Sequence, residues 1–84
     1  MKLAFDIEAD GLQLDATKIH CIVLSDVITD ETYSLYTQEQ YDDFYREKFD
    51  SVECFIGHNI IDYDCPVLEK VLGWDFGDKR VFDT

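Results

Sequence analysis

An alternating apolar stretch near the N-terminus carries two carboxylates that are predicted to share one strand face. In "LAFDIEADGL", residues 3–12, apolar side chains at positions 3, 5 and 7 alternate with Asp6 and Glu8. Alternate residues of a strand point to the same side, so the two carboxylates are predicted to lie side by side. Like charges held this close repel each other, and burying them unpaired is costly. The pattern therefore predicts a strand whose carboxylate face either meets water or holds a cation.

Two interpretations of this strand are open. A half-exposed edge strand with a polar outer face explains the alternation without any ligand. Against that interpretation, Asp and Glu are poor strand formers, and Asp6 and Glu8 interrupt the strand near its C-terminal end, a common place for sites in sheets that carry helices. Carboxylates at positions i and i+2 are hard oxygen ligands that suit Mg²⁺ or Mn²⁺. Asp6 and Glu8 are therefore candidate metal ligands.

Length and composition limit what the chain can be. Its 84 residues allow one small domain with little reserve of stability. A hydrophobic content of 46% and a single proline exclude a disordered or low-complexity chain. The net charge of -12 is opposite in sign to that of a protein that binds nucleic-acid phosphates without metal ions. A nucleic-acid partner is therefore compatible with this sequence only if metal ions screen the contact.

The cysteines and the N-terminus predict a location inside the cell. Cys21, Cys54 and Cys65 are odd in number, form no C-x-x-C pair and lie in or beside apolar runs, which predicts reduced core thiols and a reducing cytosol. The N-terminal residues include acids where a signal peptide needs an apolar stretch, and no window approaches about 18 apolar residues. We therefore expect a cytoplasmic protein with no membrane partner.

Hydrophobic periodicity predicts three strands first and an alternation of helix and strand afterwards. The spacing of Thr37 and Gln40 is that of a capping box, Pro66 suits a first helical turn, and Gly73 suits a helix end. The predicted elements are strands at 3–8, 19–26 and 31–37, a helix at 38–49, a strand at 53–59, a helix at 64–73 and a short strand at 80–82. The first three strands are predicted to be antiparallel neighbours, and the later alternation of helix and strand indicates an α/β fold.

A second stretch, "GHNIIDYDCPVL" at residues 57–68, also carries candidate functional residues. Asp62 or Asp64 can be interpreted as a helix cap, an arrangement worth about 1 kcal/mol that requires no catalysis. Capping does not explain an Asn five residues before Asp64 and an aromatic residue directly before it. His58 is interpreted as a loop or core histidine rather than a base.

Together the two stretches resemble the motifs of the DEDD (DnaQ-like) 3′-to-5′ exonucleases. "D-I-E-A-D-G-L" resembles their first motif, D-x-E-x-x-G-L, and "H-N-I-I-D-Y-D" resembles their second motif, H-N-x-x-x-[FY]-D, which precedes a helix. With "K-I-H-C-I-V-L" in the second strand, the chain is most similar to the proofreading domains of phage family A DNA polymerases. The resemblance spans Leu3 to Thr84. Two motifs in this order, separated by two strands and a helix, are more specific than either motif alone.

The resemblance implies a ribonuclease H-like fold, a mixed sheet with flanking helices. Residues 1–84 would be the N-terminal portion of an exonuclease domain, with the rest of the fold lying beyond this chain. It also implies a role for seven residues of this sequence. The catalytic and metal-binding positions are Asp6, Glu8 and Asp64, and the substrate-binding positions are Gly11, Leu12, Asn59 and Tyr63. In the family, two Mg²⁺ or Mn²⁺ ions held by such carboxylates promote phosphodiester hydrolysis.

The implied activity is proofreading hydrolysis at the 3′ end of single-stranded DNA, within a DNA polymerase of a bacterial or phage-infected cell. The family also needs a fourth carboxylate and a Tyr or His general base from a third motif, which would lie beyond Thr84. We therefore expect a polymerase domain or the C-terminal part of the exonuclease domain as partner, and little activity from these residues alone. The alternative from another class is a non-catalytic acidic DNA mimic or assembly protein with the same fold.

Overall fold

A computed structural model describes residues 1–11, 16–77 and 79–84. These residues form five strands, two α-helices, one 3₁₀ turn and one π-helical turn. In chain order they are β1 (Lys2–Ala9), β2 (Ile19–Asp26), β3 (Thr32–Leu35), α1 (Gln38–Glu47), the 3₁₀ turn (Phe49–Ser51), β4 (Cys54–Gly57), the π-helical turn (Ile60–Asp64), α2 (Cys65–Leu72) and β5 (Arg80–Asp83). None of the helices among the described residues is long and apolar enough to cross a membrane.

The strands form one mixed sheet in the order β3-β2-β1-β4-β5. β1 pairs antiparallel with β2 and parallel with β4, while β2 pairs antiparallel with β3 and β4 pairs parallel with β5. The predicted antiparallel arrangement of the first three strands is therefore confirmed. A mixed five-stranded sheet with two helices also confirms the predicted α/β class and is consistent with a ribonuclease H-like fold.

The hydrophobic core lies on one face of this sheet. Leu3, Phe5 and Ile7 of β1 point into it and are nearly inaccessible to solvent. The ring of Phe49 contacts the rings of four other aromatic residues, with centroids between 4.6 and 5.5 Å apart. These four are Tyr45, Phe55, Trp74 and Phe76. Because aromatic side chains bury large areas, this cluster supplies much of the stability of a small domain.

The opposite face of the sheet, here called the open face, has no comparable cover among the described residues. Its side chains alternate with those of the core along each strand. Asp6, Val23 and Phe82 are exposed, and Ala4 and Ile56 are half-buried. The sheet is therefore one-sided, with its core on one face and the Asp6 carboxylate on the other.

The helix boundaries agree with the local signals in the sequence. The Gln40 backbone N–H donates to the Thr37 hydroxyl at 3.2 Å, and the Gln40 side-chain oxygen accepts from the Thr37 backbone N–H at 3.2 Å, which confirms the capping box. The predicted extension of this helix to residue 49 is wrong, because the chain tightens into the 3₁₀ turn at Phe49. Helix α2 ends as predicted, since Gly73 has a φ of 72° in the left-handed region.

The π-helical turn was not predicted from the sequence. It begins after Asn59, which has a φ of 59°, and it leads directly into α2. Asn tolerates this left-handed conformation better than most residues. The turn also shortens the predicted strand at 53–59, which ends at Gly57. Such π-helical turns are frequent at functional sites.

The cysteines are free thiols, as predicted. Cys54 and Cys65 are buried, whereas Cys21 is only half-buried. Burial raises the pKa of the Cys65 thiol to about 12, which makes it unreactive near neutral pH. The cytoplasmic location remains a prediction.

Replacing Gly57 by Ala tests how tightly β4 approaches the π-helical turn. The added methyl group would overlap with Ile60 Cγ2 and would lie 2.8 Å from the Phe5 carbonyl oxygen, which is fixed in the central strand. We expect Gly57→Ala to lower the free energy of unfolding by about 1 to 3 kcal/mol, measured by urea denaturation. Gly77→Ala is the control, because its nearest neighbour is the Asp75 side chain, which can rotate. Equal stability of the two variants would contradict the close approach.

Candidate functional site

Asp6 and Glu8 are exposed on the same face of β1, as the alternation predicted. The interpretation of β1 as an edge strand is wrong, because it is the central strand of the sheet. Its pairing with β4 covers only Lys2 to Ala4. The part of β1 that carries both carboxylates therefore extends beyond β4, and the π-helical turn lies against it.

Asp64 lies at the end of the π-helical turn and is buried, with 4% of its surface exposed. Although it occupies the N-cap position of α2, its side chain makes no capping hydrogen bond. The interpretation of Asp64 as a helix cap is therefore wrong. Its Oδ2 atom is buried and has no hydrogen-bond partner among the described residues. A buried carboxylate oxygen without a partner costs free energy and calls for an explanation.

The charge of Asp64 is opposed by its surroundings. Burial, the neighbouring Asp6 carboxylate and the Asp83 carboxylate together raise its pKa to about 7, against a partial compensation by a hydrogen bond from the Ile7 backbone N–H. Asp6 and Asp64 are therefore close enough for their charges to repel. A proton or a cation beside Asp64 would relieve this repulsion.

Asp83 stabilises the start of the π-helical turn, although the sequence analysis did not identify it. Its carboxylate accepts hydrogen bonds from the backbone N–H groups of Asn59 at 2.6 Å and Ile61 at 3.1 Å. The next residue, Thr84, donates from its backbone N–H to the Gly57 carbonyl at 2.9 Å. The sequence signal for Asp83 was a carboxylate directly after the predicted strand at 80–82. Only the parallel pairing of β5 with β4 shows that this carboxylate lies beside the π-helical turn.

Two of the predicted substrate-binding positions contact each other directly. The Tyr63 hydroxyl donates a hydrogen bond to the Gly11 carbonyl oxygen at 2.6 Å. Burial raises the pKa of Tyr63, and the nearby Asp64, Asp10 and Glu8 carboxylates add to the effect. Asn59 is exposed at its left-handed turn. Leu12 lies outside the described residues, and the substrate-binding roles of all four positions remain predictions.

Asp10 fixes the loop that follows β1. Its carboxylate accepts hydrogen bonds from the Thr17 backbone N–H at 2.8 Å, the Thr17 hydroxyl at 2.6 Å and the Lys18 backbone N–H at 3.0 Å. These bonds lower the pKa of Asp10 to about 2. Asp10 therefore has a structural role that holds the chain near Gly11.

The donor chemistry of the Asp6–Asp64 pair fits a divalent cation. Within residues 1–11, 16–77 and 79–84, no three His, Cys, Asp or Glu side chains are grouped closely enough to hold a metal ion. Glu8 lies on the same strand face as Asp6, and its charge contributes to the raised pKa of Tyr63. The donors present are hard carboxylate oxygens, one of which is buried without a partner, and this chemistry suits Mg²⁺ or Mn²⁺. The ligand and catalytic roles of the three carboxylates remain predictions.

Comparison with solved structures relates this fold to a DNA polymerase. The family B DNA polymerase from the hyperthermophilic archaeon Pyrobaculum calidifontis is similar, with a TM-score of 0.60 and 22% sequence identity over 93% of this chain. The match covers 12% of the polymerase chain, so this chain spans only a small part of it. At this identity the similarity shows the fold alone. The resemblance to phage family A polymerases is not confirmed by it.

No protein-family model matches the chain, and no curated protein matches it either.

The raised pKa of Asp64 predicts a specific dependence of stability on pH. Below about pH 4 the carboxyl is protonated in both the folded and the unfolded state, and its neutral form is favoured in the fold. Between about pH 4 and pH 7 the unfolded carboxyl is ionised while the folded carboxyl keeps its proton, so the stabilising contribution falls across this range and is gone above about pH 7. The ordinary carboxyl pKa is 3.8 and the raised pKa of Asp64 is about 7. This difference sets an upper limit of about 4 kcal/mol on the change in the free energy of unfolding.

Asp64→Asn removes this titration and leaves the other carboxylates in place. We expect the free energy of unfolding of the wild type, relative to the variant, to fall between about pH 4 and pH 7 and to level off above pH 7 when urea denaturation is measured in EDTA. Parallel pH profiles for the two proteins would contradict the repulsion between Asp64 and its neighbours.

Asp83→Ala tests the two hydrogen bonds that hold the chain before Asp64. Removing the carboxylate leaves the N–H groups of Asn59 and Ile61 without their acceptor, so their amide hydrogens should exchange with solvent at least tenfold faster. Asp62→Ala is the control, because it removes an exposed carboxylate from the same turn. Unchanged exchange at both amides in Asp83→Ala would contradict this role.

Proposed function

We propose that this chain is part of the 3′-to-5′ exonuclease domain of a DNA polymerase, similar to the proofreading domains of phage family A enzymes. In this proposal Asp6, Glu8 and Asp64 bind Mg²⁺ or Mn²⁺, and the substrate is the 3′ end of single-stranded DNA. The observation that carries the proposal is the buried Asp64 carboxylate, which lies beside Asp6 with one oxygen lacking any partner among the described residues.

The hydrogen bond from the Ile7 backbone N–H accounts for only part of this carboxylate, because Oδ2 has no partner among the described residues. It caps no helix, and its ionised form is disfavoured by burial and by two neighbouring acids. A divalent cation would supply the partner that Oδ2 lacks and would neutralise Asp6 at the same time. The cost of placing these two acids together is therefore offset if the site binds metal.

When bound, divalent ions activate a water molecule and stabilise the leaving 3′ oxygen of a phosphodiester. The protein's own residues prepare the place for this chemistry. Asp6 and Glu8 present their oxygens to solvent, where a DNA end can approach. Asp83 fixes the backbone that leads to Asp64, and the Tyr63–Gly11 hydrogen bond joins that turn to the loop after β1.

Metal binding also reconciles the charge of the chain with a DNA substrate. With a net charge of -12 the protein repels phosphates at long range. Cations held by the carboxylates would reverse the charge locally, at the place where the terminal phosphate must lie. Affinity for DNA is therefore expected to depend on the divalent ion.

The alternative of an acidic DNA mimic requires carboxylates that are free to imitate phosphates. Several acidic side chains instead form hydrogen bonds within the protein. Asp10, Asp26 and Asp83 accept hydrogen bonds from backbone N–H groups. No contact among the described residues favours the mimic, which becomes an outcome of the following test.

Binding of Mn²⁺ should raise the melting temperature of the chain. A ligand that binds only the folded state at about ten times its Kd stabilises it by about 1.4 kcal/mol, which corresponds to about 5 to 10 °C for a domain of this size. We expect Asp6→Ala to abolish this shift, with Asp62→Ala as the matched control that keeps it. A shift of equal size in Asp6→Ala would place the ion elsewhere, and the absence of any shift would favour the mimic.

A timed digestion of a 5′-labelled single-stranded oligonucleotide in Mn²⁺ measures activity directly. We expect slow shortening from the 3′ end that is lost in Asp6→Ala. The rate should be low because this sequence carries no third motif, and general-base assistance alone is worth about 10² to 10⁴ in rate. Shortening that persists in Asp6→Ala would overturn the assignment of this residue, and shortening at an ordinary enzymatic rate would show that the third motif is dispensable.

A further inference from the structure

A β-bulge interrupts β2 directly opposite the part of β1 that carries the carboxylates. Glu8 pairs with Cys21, whereas Ala9 pairs with Ile19. His20 is therefore an extra residue without a partner of its own on β1. An extra residue of this kind bends a strand locally and re-aims its side chains, and bulges are common beside functional sites. The proposed metal chemistry does not account for this one.

The bulge turns two consecutive side chains of β2 toward the open face. Ile19 and Ile22 are both buried in the core. In a regular strand, residues three positions apart point to opposite faces, so the bulge is what brings both isoleucines to the same side. Of the two residues between them, His20 is exposed and Cys21 is half-buried. His20 therefore lies on the same face of the sheet as Glu8, one strand away.

Hydrogen bonds from other elements fix the bulge in place. The hydroxyl of the buried Tyr41 donates to the Ile19 carbonyl oxygen at 3.2 Å. Just before the bulge, the Lys18 backbone N–H donates to the Asp10 carboxylate at 3.0 Å, and the Asp10 backbone N–H donates to the Lys18 carbonyl oxygen at 3.1 Å. The fold therefore determines where the His20 side chain lies.

The imidazole of His20 is not engaged within the described part of the chain. The salt bridges there involve Arg46, and no hydrogen bond joins His20 to another described residue. In either charge state an imidazole offers at least one ring N–H as a hydrogen-bond donor. His20 is therefore a free donor on a face whose nearest charged groups are the carboxylates of Asp6 and Glu8.

His20 and Asp64 flank these carboxylates from opposite sides of β1. β2 lies on one side of β1, and the π-helical turn that carries Asp64 follows β4 on the other side. Strands lie about 4.8 Å apart and rise about 3.4 Å per residue, which puts the Cα atoms of His20 and Asp6 roughly 8 to 10 Å apart. A phosphate held at the carboxylates, or the next one along a strand, is within reach of the imidazole.

We infer that His20 is a substrate-binding residue that donates a hydrogen bond to a phosphate oxygen of the DNA strand near its 3′ end. The inference rests on the proposed function and adds a contact on β2 to the residues named there. Phosphate oxygens are strong acceptors, and ionised carboxylates can only accept, so a phosphate on this face needs a donor. Contacts to phosphates position a strand without reading its sequence, which suits hydrolysis of any 3′ end.

A metal-ligand role for His20 is less well supported. Within residues 1–11, 16–77 and 79–84, no group of three His, Cys, Asp or Glu side chains could hold a metal ion. Imidazole also suits Zn²⁺, Cu²⁺ or Fe²⁺, whereas the carboxylate oxygens nearby suit Mg²⁺ or Mn²⁺. This role is an outcome of the test below.

Fluorescence anisotropy of a 5′-fluorescein-labelled oligothymidine of 12 nucleotides measures binding to the 84-residue chain in Mn²⁺ at 4 °C, before hydrolysis is detectable. We expect His20→Ala to weaken binding at least fivefold, because a hydrogen bond to a charged acceptor is lost. His20→Gln keeps an N–H donor and should bind within twofold of the wild type. Thr32→Ala is the matched control, because it removes an exposed polar side chain from β3, and it should also stay within twofold.

A series of modified oligothymidines identifies the phosphate that His20 contacts. Each carries one uncharged methylphosphonate in place of one of the four linkages nearest the 3′ end. At the contacted linkage the wild type should lose affinity and His20→Ala should lose no more, so the difference between the two proteins should vanish at that position alone.

Four results would overturn the inference. Unchanged binding in His20→Ala, with binding lost in Asp6→Ala, would leave the proposed function standing without this contact. A loss in His20→Ala that is equal for every modified oligonucleotide would show a change in the site as a whole. A Mn²⁺-induced rise in melting temperature that His20→Ala abolishes in the absence of DNA would identify a metal ligand. No Mn²⁺-dependent binding by the wild type would overturn the proposed function and this inference with it. Circular dichroism confirms that each variant is folded.

Discussion

The repulsion between Asp6 and Asp64 is the interaction on which the rest of this site depends. One carboxylate is exposed on the central strand, the other is buried in the turn beside it, and one oxygen of the buried group has no partner in the described residues. Marginally stable domains seldom retain such an arrangement without a compensating gain. The surrounding structure is best understood as the means by which the two carboxylates are held together in spite of this repulsion.

Contacts made by β4 and by the Asp83 side chain position the turn that carries Asp64. Gly57 brings β4 so close to Phe5 that a side chain would not fit, and the chain then reverses at Asn59. Asp83 accepts hydrogen bonds from the backbone N–H groups of Asn59 and Ile61 at this reversal. The position of Asp64 is therefore set by strands β4 and β5, although its charge acts on β1.

The sequence predicted the elements well because their signals are local. Alternation located β1, and the capping box between Thr37 and Gln40 located the first helix. The π-helical turn was not predicted. Asp83 had only the weak signal of a carboxylate after a predicted strand, because its role depends on the parallel pairing of β4 with β5, which joins residues distant in sequence. The resemblance assigned Asp6 and Asp64 to one metal site, which remains a prediction, and only the fold revealed that Asp64 caps no helix.

The large negative net charge of this protein does not show how its charges are distributed. Asp10 and Asp26 are hydrogen-bonded to backbone N–H groups, which stabilises their ionised form and lowers the pKa of each. Asp64 lies at the opposite extreme, because burial and its neighbours disfavour its charge. Lys2 and Arg80 line the same cavity as Asp50 and Glu53, so positive and negative charges are mixed there. The charge that a partner meets is therefore set by which carboxylates are hydrogen-bonded, exposed or buried at each place on the surface, and the net charge of -12 does not predict it.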